Sequence, residues 1–260
     1  MKKIKIILLQ YPKLYTVIFN LYALFRYPHF FLVGFVLKFN NRKIRYEDLI
    51  FSVPRKNTSS FFLGSFYFIG SEEDEILAID KYIDKNSKVL ELGGCLGFIS
   101  CYLNRKLTNR KNHVVLEGNP QLIPFLERNR ENNQCEFNIV NKIISVYKNN
   151  TFYIGKSIHS SSIKKGSNEK HNIQGITIAE LEKQYKFKFD TLIMDIEGAE
   201  YDLFKDTDFS KLNISTIIFE LHDFNRVLST EQVNEIKLNL NKYGYLYKET
   251  IGSSQIWKSN

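Results

Sequence analysis

From Asp84 to the last residues, short apolar runs alternate strictly with longer helical ones, and this alternation constrains the chain more than anything else in it. The runs at 88–92, 113–116, 191–194 and 216–220 are too short for helices and read as strands. Helical stretches are expected at 98–107, 120–132 and 177–185, with a helical turn at 200–204; Asn119 and Pro120 read as the cap and first position of the second. A third strand is expected over 136–145 and a hairpin over the sheet around 152–163. This β-α-β-α order specifies a parallel sheet covered by helices. Near the end, a helix capped by Ser229 or Thr230 runs to Lys242, Gly244 stops it, and strands at 245–249 and 255–257 are joined through Gly252-Ser253-Ser254. So short a link makes these two antiparallel, and one of them opposes the rest of the sheet.

The chain has 260 residues, 43% of them hydrophobic, which suffices for a full core and excludes both disorder and a small disulfide scaffold. Its charge of +8 is lopsided, because residues 1–60 hold 11 lysines and arginines against 2 acids and the remainder is near neutral. A basic, aromatic, partly helical extension is therefore expected over 1–70, and a larger domain over 71–260. Cys95, Cys101 and Cys135 match no zinc or redox spacing and fit a reducing cytoplasm. The apolar run at 6–9 is too short for a signal peptide. Arg26, Pro28 and His29 interrupt the apolar stretches at 14–25 and 27–37 before either reaches the roughly 18 residues that crossing a bilayer requires.

Within the extension, Lys2, Lys3, Lys5, Lys13, Arg26, Lys38, Arg42, Lys43 and Arg45 alternate with tyrosines and phenylalanines. Residues 1–45 could lie at an anionic membrane interface as a peripheral contact, or form a helical cap packed on the sheet with a solvated basic face. Nucleic acid is not an expected partner, because the aromatic residues sit in apolar runs rather than in an RNA-binding motif.

The chemistry begins at Glu91-Leu-Gly-Gly-Cys-Leu-Gly97, where a buried strand delivers an acid two residues before a glycine turn. Gly93, Gly94 and Gly97 let a ligand approach the backbone at the start of the next helix. Glu117 follows Gly97 by 20 residues at the end of the next strand, where a carboxylate can accept hydrogen bonds from both hydroxyls of a ribose. A nucleoside cofactor is implied, either a nicotinamide dinucleotide or S-adenosylmethionine. Glu91 favours the second, since its carboxylate would repel a pyrophosphate and suit a sulfonium or ammonium group.

Asp195-Ile-Glu-Gly-Ala-Glu200, at the end of the fourth strand, completes a recognisable set. With the glycine turn, Glu117-Gly-Asn-Pro120 and Ile176-Thr-Ile-Ala-Glu-Leu181, it resembles the FkbM family of S-adenosylmethionine-dependent methyltransferases over about residues 84–223. The resemblance implies an α/β, Rossmann-like class I methyltransferase fold: a mostly parallel seven-stranded sheet with an antiparallel last strand. It implies that Gly93, Gly94 and Gly97 cradle the methionine part of the cofactor, with Glu91 near its amino end and Glu117 on the ribose. Asn119 belongs to the same cofactor-binding set, and Ile143 or Ile144 flanks adenine. Cys95 departs from the family, which commonly has asparagine there.

The acceptor implied is a hydroxyl of a sugar or glycan intermediate, which needs a base on the carboxyl edge of the sheet. Asp195 is the first choice, Glu197 could position the acceptor or support the loop, and His222 is a rival base. Asp195, Glu220 and His222 could also converge on a divalent cation, although no metal is predicted. His113 and His159 have no partner at a meaningful spacing and read as structural or surface residues. Two alternatives stand beside the methyltransferase: an NAD(P)-dependent oxidoreductase, and a methyltransferase-like scaffold without turnover.

Overall fold

The computed structural model describes residues 28–39, 43–54, 58–68, 72–154, 169–196, 198–221 and 228–259. In chain order, helix α1 (28–39) precedes a hairpin of β1 (Lys43–Tyr46) and β2 (Leu49–Ser52), then helices α2 (Ser60–Phe68) and α3 (Glu73–Tyr82). The alternation of sheet and helix follows: β3 (Val89–Leu92), α4 (Phe98–Lys106), β4 (His113–Leu116), α5 (Ile123–Asn132) and β5 (Asn138–Val140). Next come β6 (Ile143–Ile144), β7 (Asn149–Ile154), β8 (Glu169–Ile176), α6 (Ile178–Tyr185), β9 (Thr191–Met194) and α7 (Glu200–Asp206). The chain closes with β10 (Thr216–Glu220), α8 (Thr230–Lys242), β11 (Tyr245–Ile251) and β12 (Ser254–Ser259).

Seven strands form one sheet in the order β11-β12-β10-β9-β3-β4-β5. All pairs are parallel except those of β12, which runs against both β10 and β11. This is the class I methyltransferase arrangement, and β12 is its reversed strand. The four residues each of β3, β4 and β9 are buried throughout, as central strands covered on both faces must be. Alternation sends Val89, Val115 and Ile193 to one face, against Ile79, Leu103 and Leu126 of α3, α4 and α5. Leu90, Val114 and Leu192 point to the other, against Leu181, Phe204 and Ile236 of α6, α7 and α8.

The hairpin was not expected in a helical extension. Its Lys-Ile-Arg-Tyr strand buries Ile44 and Tyr46 and exposes Lys43 and Arg45, a period-two pattern only four residues long. The described part of the extension shares the core of the sheet, since Ile44, Phe51, Leu63 and Phe66 pack in one cluster with Val89 and Phe98. Two asparagines one helical turn apart, Asn129 on α5 and Asn133 at its C-cap, hold β2 by imitating a strand edge. Asn129 Oδ1 accepts from Ser52 N at 2.7 Å and its Nδ2 donates to Ser52 O at 3.1 Å; Asn133 makes the same pair with Ile50 at 2.7 and 2.9 Å. Asn129 Nδ2 also donates to Leu96 O at 2.8 Å, so one buried side chain ties the extension to the glycine turn. Asn129→Ala should destabilise the protein by about 2 kcal/mol, because buried backbone groups lose partners; a denaturant midpoint equal to wild type would contradict this.

Three expected boundaries shift. Residues 120–122 form a turn in which Asn119 Oδ1 accepts from Gln121 N at 3.0 Å, and α5 starts at Ile123 with Pro124, not Pro120, in its first turn. The strand expected over 136–145 breaks after Val140: β5 stays in the main sheet, while β6 joins a second sheet of order β6-β8-β7. The hairpin expected around 152–163 starts earlier, as β7 pairs antiparallel with β8, and residues 155–168 lie outside the described ones.

Candidate active site

The glycine turn is pressed between the ends of two neighbouring strands. Gly93 N and Gly94 N both donate to Leu116 O of β4, at 2.9 and 3.0 Å. Gly93 has φ +93°, and a Cβ there would lie 2.0 Å from Asp195 O, so no other residue fits. Cys95 adopts φ +46°, a left-handed conformation that glycine and asparagine adopt at lower cost. Burial, reinforced by the charges of Glu117 and Glu72, pushes its thiol well above the ordinary range, so it stays protonated. Gly97, at φ +79°, is the N-cap of α4.

Glu117 stands just past β4. Its Oε2 accepts from Cys95 N at 2.7 Å and its Oε1 from Asn119 N at 2.6 Å. Burial raises its proton affinity, and the two backbone N–H groups partly offset that. These bonds leave each oxygen a further lone pair. Glu117 lines the larger of two cavities at the carboxyl edge of the sheet, about 110 Å³, with Gly93, Leu116, Ile143, Ile144, Phe152 and Asp195. At Gly118 a Cβ would lie 2.8 Å from Phe152 and 2.9 Å from Ile143, so those two side chains close over a bare backbone. Phe152 was not foreseen: it arrives from the second sheet, and its strand carries no local signal for a ligand.

A smaller cavity, about 50 Å³, lies on the other side of the turn and is lined by Phe62, Phe66, Phe98, Glu72, Glu75 and Glu91. Leu92, Gly93, Cys95 and Asp195 line both cavities. Gly94 lines the smaller one, whereas Gly97 and Asn119 line neither; Asn119 instead holds Glu117 from behind. Glu197 and His222 lie outside the described residues.

Glu91 is engaged inside the protein. Ser100 Oγ donates to its Oε1 at 2.6 Å, and His113 Nε2 lies 2.9 Å from its Oε2. His113, expected to have no partner, is therefore the partner of the acid that opens the turn, and both are buried. Asn104 Nδ2 approaches His113 Nδ1 at 3.5 Å, so the imidazole sits between Asn104 and Glu91.

Asp195 follows β9, and its backbone N donates to Leu92 O at 3.0 Å. Among the described residues, carboxylate oxygens of Glu75, Asp195 and Glu220 lie within 4.8 Å of one another. The sequence offered His222 beside Asp195 and Glu220, and that residue lies outside the described ones; among the described residues Glu75 joins them from α3. Three carboxylates this close need a proton or a cation between them. Burial, then Glu72, Asp195 and Glu220, hold the Glu75 carboxyl well above its ordinary range. The folded state thus binds this proton more tightly than the unfolded one, and its contribution to stability is full below the unfolded value and lost as pH rises through the folded one. Glu75→Gln should therefore stabilise the protein relative to wild type increasingly as pH rises above the ordinary carboxyl range, by about 1.4 kcal/mol for each tenfold difference in proton affinity. Denaturation curves whose difference does not change with pH would contradict it.

The sequence matches the family model described as Methyltransferase FkbM domain over residues 91–247. The chain belongs to the FkbM methyltransferase family. It is an S-adenosylmethionine-dependent methyltransferase, and the oxidoreductase alternative falls. No curated protein sequence matches this FkbM methyltransferase. Similar solved structures include the ribosomal protein L11 methylase of Lactobacillus delbrueckii subsp. bulgaricus, 14% identical with TM-score 0.45, over 74% of this chain and 81% of that one. The precorrin-6y C5,15-methyltransferase of Geobacter metallireducens GS-15 is 11% identical with TM-score 0.44, over 80% of this chain and 90% of that one. The O-methyltransferase of Bacillus cereus, solved with SAH, is 12% identical with TM-score 0.38, over 74% of this chain and 92% of that one. Likeness at these values says nothing of the acceptor.

Proposed function

We propose that this FkbM methyltransferase methylates a hydroxyl of a sugar or glycan intermediate. The observation that carries the reading is the position of Asp195 between two unlike cavities: one lined by Glu117 and apolar side chains, the other by aromatic rings and carboxylates. The first suits an adenosine, with Glu117 accepting from the ribose and Ile143, Ile144 and Phe152 flanking the base. Gly93, which lines both cavities, presents bare backbone to the methionine part, and Glu91 anchors α4 beside it through Ser100. The second suits a polyol, whose C–H faces pack on Phe62 and Phe66 while its hydroxyls donate to carboxylates.

When bound, S-adenosylmethionine supplies an electrophilic methyl group with a neutral thioether as leaving group. The chain aligns the acceptor oxygen and removes its proton. Asp195 takes that proton at its carboxylate, Glu197 positions the acceptor, and His222 is the second candidate base. The thiols of Cys95, Cys101 and Cys135 are free, which supports placing this work in the reducing cytoplasm. Incubation with labelled S-adenosylmethionine and a panel of sugars, phenols and amines tests the reading. A methyl ether on a sugar hydroxyl is expected; transfer confined to amines or phenols would overturn it.

A further inference from the structure

We propose that the outward face of α1 docks on an anionic lipid bilayer, with the helix lying in the plane of the interface. Phe31, Leu32, Phe35, Val36 and Phe39 recur at the spacing of one helical face, and they are 60, 63, 50, 56 and 78% exposed. Five large apolar side chains adjoining in water make a patch of the kind that marks an interaction surface. The opposite face fixes this exposure. Phe30 and Leu37 are buried, a Cβ at Gly34 would lie 1.6 Å from Ser60 O, and one at Gly64 would lie 1.8 Å from Phe30 O. The backbones of α1 and α2 are in contact there, so α1 is not free to roll its stripe inward.

Charge selects the occupant. Nine cations, from Lys2 to Arg45, precede Glu47, the first acid of the sequence. Of these, Lys38 is on α1 itself, and Lys43 and Arg45 are exposed on β1. An anionic bilayer offers an apolar layer beneath a negative surface, whereas a second copy of the chain brings the same positive charge. An apolar stripe confined to one face of a twelve-residue helix suits a contact in the plane of the interface. Docking also bears on the site. The rings of Phe30 and Phe61 lie 5.7 Å apart between α1 and α2, and α2 supplies Phe62 and Phe66 to the cavity shared by Asp195. The bilayer surface would thus lie one helix away from the acceptor side, whichever hydroxyl is methylated.

Flotation of the full chain with vesicles tests the proposal. Phosphatidylcholine vesicles with about one-third phosphatidylglycerol should bind it at least tenfold more tightly than phosphatidylcholine alone, and about 1 M salt should reduce the difference. A Phe31→Ser, Phe35→Ser double variant should lose about tenfold or more of this binding with its melting temperature and cofactor titration unchanged. Equal flotation of variant and wild type, or wild type left in the soluble fraction, would overturn the proposal. So would a wild-type dimer that the variant dissolves in the absence of any vesicle binding, since a second copy would then cover the stripe. As an independent readout, the emission of Phe35→Trp should shift to the blue with anionic vesicles; an unmoved spectrum would count against docking.

Discussion

Asp195→Asn should lower the rate of methyl transfer about 10²- to 10⁴-fold, the range a positioned base contributes, while leaving cofactor affinity within about twofold of wild type. The amide keeps the shape of the carboxylate but cannot take a proton from a hydroxyl, and a sugar hydroxyl is a poor nucleophile until that proton leaves. Cofactor binding should survive, because the contact between residue 195 and the glycine turn is made by its backbone: Asp195 N donates to Leu92 O, and its carbonyl faces Gly93. The same substitution removes a charge that repels Glu75. The variant should therefore be more stable than wild type at neutral pH, and loss of activity with gain of stability is the mark of a site whose charges are held together for function. Single-turnover transfer, cofactor titration and denaturation measure the three quantities. Undiminished turnover would pass the role of base to His222 or to solvent.

Glu117→Ala should weaken S-adenosylmethionine binding by about 3 kcal/mol, roughly a hundredfold, through the loss of charge-assisted hydrogen bonds. Part of that loss is indirect, since the carboxylate also accepts from Cys95 N and Asn119 N and so shapes the turn. A 2′-deoxy form of S-adenosylhomocysteine separates the contributions. It should bind wild type more weakly than the parent compound, by about tenfold, and the variant equally, because the hydroxyl then has no partner to lose. Titrations in which both proteins discriminate alike would remove the ribose assignment while leaving the structural role intact.

The strands at 113–116, 191–194 and 216–220 could be read directly because central parallel strands, covered on both faces, are written as continuous apolar runs. The reversed strand was legible from a tight link alone. What stayed hidden depends on contacts distant in sequence. Asn129 and Asn133 look like polar positions on a helix until their partners, 77 and 83 residues away, are in place. His113 reaches Glu91 because β3 and β4 lie side by side on one face, and no spacing reports that. Glu75 carries no signal of its own in the sequence, because its burial between Glu72, Asp195 and Glu220 arises only when α3 docks on the sheet edge. The acid before the glycine turn was read as the counter-charge of the cofactor, but its two oxygens are bound to Ser100 and His113, so whatever field it exerts acts from within the core. The hairpin at 43–52 escaped because two four-residue strands are too brief to stand out against a basic, aromatic background.

The central claim is that the adenosyl donor occupies the cavity between the glycine turn and Glu117, with its reactive end toward Asp195. A crystal structure with S-adenosylhomocysteine bound tests it most directly. The ribose hydroxyls should lie within hydrogen-bond distance of Glu117, the base against Ile143 and Phe152, and the sulfur on the Asp195 side of Gly93. Ligand density in any other place, or a ribose turned away from Glu117, would contradict the account.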